Sequence, residues 1–378
     1  MYATAGAGHR RAAEALTHAI AQRCPEAQVE CLDVLHHTPY WFRVFYEWSY
    51  LLLVRHLSWI WKLSYRALDH ALIYRLVEPL RRAWNLLIAR RFVNLLKDEQ
   101  PAMVVCTHFL AANICHAGKR AGWFTGALVV MVTDLYPHWF WMAPTAEAMV
   151  VATPESGRVL ERRGIAPARI HVAGIPVAQA FGRPMDRATL QQRFGLAPQR
   201  VTVLVTSGGT TVGHFESVVW ALLALEETLP GRLQLLVVCG EDDRTRHRLF
   251  LRAQTSAMPM QVFGFVDMMP ELMAASDLVV AKAGGLTVSE ALGRGLPLVL
   301  YHVIPGQEQM NARHVALHGA GVVATRPAQV AALVRQCVQQ PERLYAMRQA
   351  ARSLGHPNAA EEIAAQVIQP LLQSRIPR

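Results

Sequence analysis

Charge is scarce in this 378-residue chain: Asp, Glu, Lys and Arg make up 17% of it, whereas hydrophobic residues make up 52%. So few polar side chains do not comfortably cover an ordinary soluble surface, and an exposed apolar face is expected. Acid is the scarcer sign, with 28 Asp and Glu against 38 Lys and Arg and a formal charge of +10. That balance favours an anionic surface partner, nucleic acid or an acidic membrane leaflet. No Cys-x-x-Cys pair occurs. Cys24, Cys31, Cys106, Cys115, Cys239 and Cys337 are scattered, which argues against a zinc site or a disulfide framework and fits a reducing compartment. Nor is there a run of the ~20 apolar residues that a spanning helix needs; the longest, Tyr50 to Trp61, is broken by Arg55 and His56. The chain is therefore expected to lie on a membrane and not to cross it. Met1 leads into a glycine turn instead of the basic segment and apolar core of a signal peptide, and no nucleic-acid-reading motif is found.

What is present alternates strands with helices, the pattern of an α/β protein with parallel sheets. The length suits two domains of roughly 150–200 residues: 1–180, 181–358, and a last helix over 359–378 that returns to the first. Only a stub of strand precedes the opening glycine turn. Val29 to Val34, Met103 to Thr107, Ala127 to Thr133, Ala148 to Ala152 and Ile170 to Val172 read as strands of the first domain. A second start, Val201-Thr-Val-Leu-Val-Thr-Ser-Gly208-Gly209, opens the other. Between residues 40 and 92 the pattern changes to a long helical insertion. Tyr40 to Arg91 holds five of the nine tryptophans and nine Arg or Lys against three Asp or Glu. Arg43, Arg55 and Arg66 interleaved with Trp41, Trp48, Trp59 and Trp61 match a basic amphipathic surface that dips into lipid.

The chemistry concentrates at two glycine turns. In the second half, Asp277-Leu-Val-Val-Ala-Lys282-Ala-Gly284-Gly285-Leu286-Thr287-Val-Ser289-Glu290 runs from an apolar strand into a helix expected to be capped by Thr287 or Ser289. A helix start of this kind holds an anion through free N–H groups and the positive end of the dipole, and the bare glycines let a diphosphate reach the main chain. Glu290, one turn in, is placed to accept from ribose hydroxyls. Pro305-Gly-Gln307-Glu308 and Asn311 carry the amide and carboxylate groups that sugar hydroxyls require. Each glycine turn alone is as often structural; it is the series Gly264-Phe265-Val266, Asp277, Gly284-Gly285, Glu290 and Pro-Gly-Gln-Glu that reads as a nucleotide-sugar site.

In the first half, Gly6-Ala-Gly8 begins the dinucleotide fingerprint but Arg11 stands where its third glycine belongs, which makes an oxidoreductase a remote alternative. His9, at a helix start with Gly8 before it, is instead placed to take a proton from an alcohol, its pKa lowered by the helix N-terminus. Asp134, at the end of the strand Val129 to Thr133, either orients His9, holds the acceptor hydroxyl, or caps the next turn. His138 and Trp139 in the following aromatic loop are expected to line an acceptor cleft.

Together, Gly6-Ala-Gly-His9, Val132-Thr-Asp134 with Trp139, Gly264-Phe-Val, Lys282-Ala-Gly-Gly-Leu-Thr, Glu290-Ala-Leu, Arg294-Gly-Leu-Pro and Pro305-Gly-Gln-Glu308 with Asn311 resemble the diacylglycerol glycosyltransferases of glycosyltransferase family 28. These are the monogalactosyldiacylglycerol synthase and processive diacylglycerol glucosyltransferase type, over nearly the whole chain. The resemblance implies an α/β GT-B fold of two Rossmann-like domains facing a central cleft. It implies an inverting transfer of hexose from UDP-glucose or UDP-galactose to diacylglycerol, with His9 as base. Gly208, Gly209, Phe265, Val266, Lys282, Gly284 to Thr287, Glu290, Gln307, Glu308 and Asn311 would sit at the donor. It implies no metal and no cofactor, anionic membrane lipids and not nucleic acid as partners, and peripheral attachment to the cytoplasmic face of the cell membrane. A MurG-like transferase acting on a polyprenyl-linked precursor, or a catalytically silent lipid-binding protein, is the competing reading.

Overall fold

The computed structural model describes residues 1–4, 7–208 and 214–375, with the side chains at positions 47, 50, 51, 54–56 and 58 excepted. Gly6, Gly209 and the Arg55 side chain, all named above, lie outside that set. Two compact units divide the chain: 1–179 with 305–307 and 358–378, and 180–304 with 308–357.

The first unit carries a four-stranded parallel sheet in the order β1 (Met103–Cys106), β2 (Ala127–Met131), β3 (Ala148–Val151), β4 (Ile170–Val172). Every residue of β2 and β3 is buried, as expected of parallel strands covered by helices on both faces. Helix α1 (Ala7–Arg23) packs with the closing helical segment Ala359–Gln373 on one face. Helices α5 (Arg90–Glu99) and α6 (Phe109–Ala121) contribute to the core around Phe92, Leu96, Ile114 and Trp141. Beyond β1, Met1 donates its amino group to the Val105 carbonyl and accepts from Thr107 N–H. The stub is extended sideways only by one parallel bridge, Tyr2 to Asp33. The strand expected over Val29 to Val34 is therefore absent: so short a partner supports a single bridge, and Val34–His37 closes into a 3-10 turn with Asp33 accepting from Leu35 N–H.

The insertion folds as α2 (Tyr40–His56), α3 (Ser58–Leu68) and α4 (Ala71–Ile88). Among the described residues, most of the exposed large apolar side chains belong to it, Leu76 at 81% and Leu80 at 75% being extreme. A charge network at the α3–α4 turn fastens it to the sheet. Asp69 accepts from Trp139 N–H at 3.1 Å, the Tyr136 hydroxyl at 3.0 Å and the Arg163 guanidinium at 2.9 Å, Arg163 reaching in from just beyond helix α7 (Pro154–Arg162).

The second unit has six parallel strands in the order β10 (Gly321–Ala324), β9 (Leu298–Tyr301), β8 (Leu278–Ala281), β5 (Val201–Thr206), β6 (Leu233–Val238), β7 (Met260–Phe263). Strand order reverses between β5 and β8, the point where an open parallel sheet leaves a crevice at its carboxyl edge. Gly208 follows β5 there, and Ala283 to Gly285 follow β8. In the first unit the equivalent reversal lies between the Met1–Ala3 stub and β1, so that His9 and Thr107 emerge side by side. Asp277, at the opposite end of β8, ties strands together: it accepts from Thr202 N–H and pairs with Arg187 at 2.7 Å and Arg348 at 3.1 Å.

Replacing Asp69 with Ala leaves the largely buried Arg163 guanidinium without its carboxylate; loss of one partner from such a pair is predicted to lower stability by about 3 kcal/mol, measured by urea denaturation.

Candidate functional site

His9 stands in the first turn of α1, which begins at Ala7. Its Nδ1 lies 2.8 Å from the Thr107 carbonyl and 2.9 Å from the Thr133 hydroxyl. A carbonyl only accepts, so Nδ1 carries the proton, and in a neutral ring the lone pair is on Nε2. Thr133 in turn donates to the Thr107 carbonyl at 3.4 Å, and the Thr107 hydroxyl donates to the His9 carbonyl at 2.9 Å. Two threonines at the ends of neighbouring strands thus hold the imidazole in one tautomer and one orientation. Burial pushes its pKa down to about 4, against which the bond to the Thr107 carbonyl works weakly. The lowering expected from a helix N-terminus is thus caused chiefly by desolvation.

His9 lines a cavity of about 100 Å³ with Tyr46, Trp61, Tyr65, His108, Phe109, Asp134, His138, Phe140, Trp141 and Gln307. Three residues singled out for chemistry, His9, Asp134 and Gln307, come together here. The Asp134 carboxylate helps to hold the Tyr65 hydroxyl above its usual range, though burial of that ring contributes most. The Gln307 Oε1 is buried and has no hydrogen-bond partner among the described residues. It arrives on Pro305-Gly-Gln307, a segment of the same unit pinned by the Trp61 indole, which donates to the Pro305 carbonyl at 2.9 Å. Gly306 has φ +102 and meets the Tyr65 ring, so it needs both the left-handed backbone and the absent side chain.

Two tryptophans depart from expectation. Trp139 is not among the residues lining the cavity: it packs on Tyr74 with ring centres 5.4 Å apart, and the Arg163 guanidinium covers it at 4.8 Å, while its neighbours Phe140 and Trp141 line the wall. Trp61, grouped with the membrane residues, turns inward to hold Pro305; Trp41, Trp48 and Trp59 are exposed. His138 does reach the cavity, donating from Nε2 to the Tyr65 carbonyl at 3.0 Å.

In the second unit, helix α12 (Gly285–Gly293) starts at Gly284 with no side-chain cap. The expected cap at Thr287 or Ser289 is corrected: both lie inside the helix, and the Ser289 hydroxyl bonds back to the Gly285 carbonyl at 2.9 Å, because the extended Gly284 takes the cap position three residues before Thr287. The first amides are consequently left for a ligand. Lys282 lies beside this start, its Cε 3.6 Å from where a Cβ on Gly208 (φ +74) would be. Its charge acts on Glu308, whose carboxyl is nevertheless held above the usual range by burial, and on His302. Glu308 accepts from Ile304 N–H at 2.9 Å, and Asn311 donates to the Ala283 carbonyl at 2.9 Å, so both shape the turn after β8 and β9. Glu290, Leu286 and Val266 are buried, whereas Phe265 is half exposed. Gly208 and Lys282 therefore lie side by side beyond β5 and β8, next to the turn that Asn311 holds ahead of Gly284 and Gly285, while Glu308 holds the turn after β9. His302, with φ +46 immediately after β9, is a strained position that no motif marks, as none marks Thr107 or His108; Thr133 stands within the Val132-Thr-Asp134 motif but is given no role there.

Each unit thus carries a parallel α/β sheet with its chemistry-bearing residues at the strand ends, the two-domain pattern of a GT-B fold. The Monogalactosyldiacylglycerol (MGDG) synthase profile matches residues 9–177 and the glycosyltransferase family 28 C-terminal domain matches residues 202–363. A probable chloroplastic monogalactosyldiacylglycerol synthase of Nicotiana tabacum is 31% identical over 370 residues, 95% of this chain and 68% of that protein. The processive diacylglycerol beta-glucosyltransferase of Bacillus pumilus is 26% identical over 281 residues, 74% of this chain and 72% of its own. Among solved structures, MurG of Acinetobacter baumannii superposes with a TM-score of 0.56 at 18% identity, covering 75% of this chain and 78% of that one. The MnaA–UDP co-structure of S. aureus gives 0.60 at 14% identity, with coverages of 78% and 81%; these two likenesses concern the fold. The chain belongs to the monogalactosyldiacylglycerol synthase family.

Because His9 is neutral when folded but takes up a proton near its ordinary 6.5 when unfolded, the unfolded state binds more protons between those values and stability falls with acid. The urea midpoint is predicted to decline as pH drops from 6.5 toward 4, and less steeply in His9→Gln. Gly306→Ala is predicted to lower stability by about 1–3 kcal/mol through backbone strain, checked by the same measurement.

Proposed function

We propose that the protein transfers a hexose, glucose or galactose, from its uridine diphosphate carrier to diacylglycerol with inversion at the anomeric carbon, working from a membrane surface. The observation that carries the reading is a neutral imidazole, locked with its Nε2 lone pair available, in the wall of a largely aromatic cavity in the first unit. His9 removes the proton of the glycerol hydroxyl as that oxygen bonds to the anomeric carbon. The carbon–oxygen bond to the diphosphate breaks, and its electron pair leaves with UDP. The second unit supplies what the departing diphosphate needs, the uncapped amides at Gly284 and Gly285 and the Lys282 ammonium. With that positive field in place we infer that neither metal nor cofactor takes part.

Attachment follows from the insertion. Leu72, Leu76, Leu80 and Leu87 form an exposed apolar row along α4, Arg75 and Arg82 belong to the same helix, and no helix among the described residues is long and apolar enough to cross a membrane. Such a face lies in the interface of an anionic leaflet, leucines in the acyl boundary and arginines among the headgroups. We infer the cytoplasmic face of the cell membrane, in keeping with free cysteines among the described residues and a cationic surface.

The deciding experiment offers radiolabelled UDP-glucose and UDP-galactose with diacylglycerol in anionic vesicles and separates the lipid products. A β-glycosyl-diacylglycerol from either donor supports the reading; transfer only to a polyprenyl-linked acceptor refutes it. His9→Ala should lose turnover by roughly two to four orders of magnitude while still binding UDP in calorimetry, and EDTA should leave the wild-type rate unchanged. Leu76→Ser with Leu80→Ser should weaken vesicle sedimentation by about tenfold or more.

A further inference from the structure

The cavity that holds His9 holds two more imidazoles, of which His138 is engaged with the Tyr65 carbonyl. His108 follows Thr107 at the end of β1, is 1% exposed, and meets His9 edge to face with ring centres 4.6 Å apart. Its Nδ1 accepts from Leu110 N–H at 3.1 Å, capping α6. An imidazole nitrogen that accepts carries no proton, and burial with the neighbouring His9 holds this ring neutral, far below its ordinary pKa. The proton of His108 is therefore on Nε2, the opposite tautomer to that of His9. That N–H is the group the ring brings to the cavity it lines, where a ligand oxygen can accept from it.

The surroundings say what the partner is. His9 Nε2, the Asp134 carboxylate and Gln307 Oε1 bring accepting groups to the same cavity, so a hydroxyl proton is well provided for. His108 brings a donor instead. Donation to the reacting hydroxyl oxygen would draw electron density from the nucleophile, whereas an ester carbonyl needs a donor and has no proton of its own to give. In a diacylglycerol the carbon bearing an ester is bonded to the carbon bearing the hydroxyl, so the two groups reach neighbouring rings in one cavity.

Building on the reading of this cavity as the acceptor site, we propose that His108 is a recognition residue whose Nε2–H donates to the ester carbonyl of the acceptor adjacent to the hydroxyl presented to His9. The enzyme thereby selects acyl-ester glycerolipids over ether-linked ones. A site built to bond one group rejects the analogue that lacks it, because the protein's own buried group is then left unpaired.

The test compares kcat/KM for diacylglycerol with that for the dialkylglycerol of identical chains, in the same vesicles, for wild type, His108→Asn and His108→Gln. Asn keeps an oxygen to cap α6 but is too short to place a donor in the cavity; the Gln amide reaches further. The wild type is expected to prefer the ester by about 10- to 100-fold, His108→Asn to bring the ratio close to unity, and His108→Gln to recover part of it. Each ratio is internal to one variant, so a partly unfolded preparation does not alter it. Equal use of both lipids by the wild type, or an unchanged ratio in His108→Asn, overturns the assignment while leaving the diacylglycerol reading intact; failure of the wild type to glycosylate any glycerolipid overturns both.

Discussion

The hydrogen bond from His9 Nδ1 to the Thr107 carbonyl, 2.8 Å long, is the contact on which the chemistry of the first unit rests. It decides which nitrogen is basic, fixes the plane of the ring, and joins the first helix to the end of β1. A free imidazole exchanges tautomers and rotates; this one does neither without breaking a bond inside a desolvated pocket. Burial then separates protonation from the reaction. With a pKa of about 4 the ring is unprotonated throughout the neutral range, as the proposed role of general base requires. Low basicity weakens a general base, but in the same setting a proton taken from the acceptor is accompanied by a nearby carboxylate, Asp134, in the wall of the cavity.

The fold produces that arrangement through topology. Parallel sheets place strand ends along one edge, and a reversal of strand order opens a crevice there. In the first unit the crevice receives His9, Thr107, His108, Thr133 and Asp134 from segments distant in sequence. In the second it receives Gly208, Lys282 and the bare start of α12. The first unit is thus fitted for proton transfer from an alcohol and the second for an anion. The insertion adds a third property, an apolar surface joined to the acceptor cavity through Asp69, which holds the loop carrying Trp139 while Tyr65 and Trp61 line the cavity itself. The exposed apolar face and part of the cavity wall belong to this one piece of structure.

Much of this was legible in the residues. The alternation of strands and helices, the glycine turn after β8 and the aromatic, arginine-rich interruption are local patterns, and local patterns survive into the fold. His9, Asp134 and Gln307 were identifiable because each follows a strand or glycine turn where α/β proteins do their chemistry. What escaped was set by contacts across the chain. Thr107 and Thr133 look like ordinary strand termini until His9 is placed between them, and His108 looks like a packed histidine until its capping bond to Leu110 reveals where its proton must be. Trp139 and Trp61 were misassigned for a related reason: helical spacing and loop position do not say which way an indole turns when a guanidinium or a carbonyl competes for it. The strand expected at Val29 to Val34 failed because pairing needs a partner of matching length, and Met1–Ala3 is too short to be one.

The most direct test of the account is nitrogen NMR of the histidine side chains in the intact protein, titrated with acid. The account predicts that His9 is protonated on Nδ1 with Nε2 bare, that His108 shows the reverse pattern, and that His9 does not take up a proton until the pH approaches 4. A proton on His9 Nε2 at neutral pH, or titration near the ordinary 6.5, would contradict it.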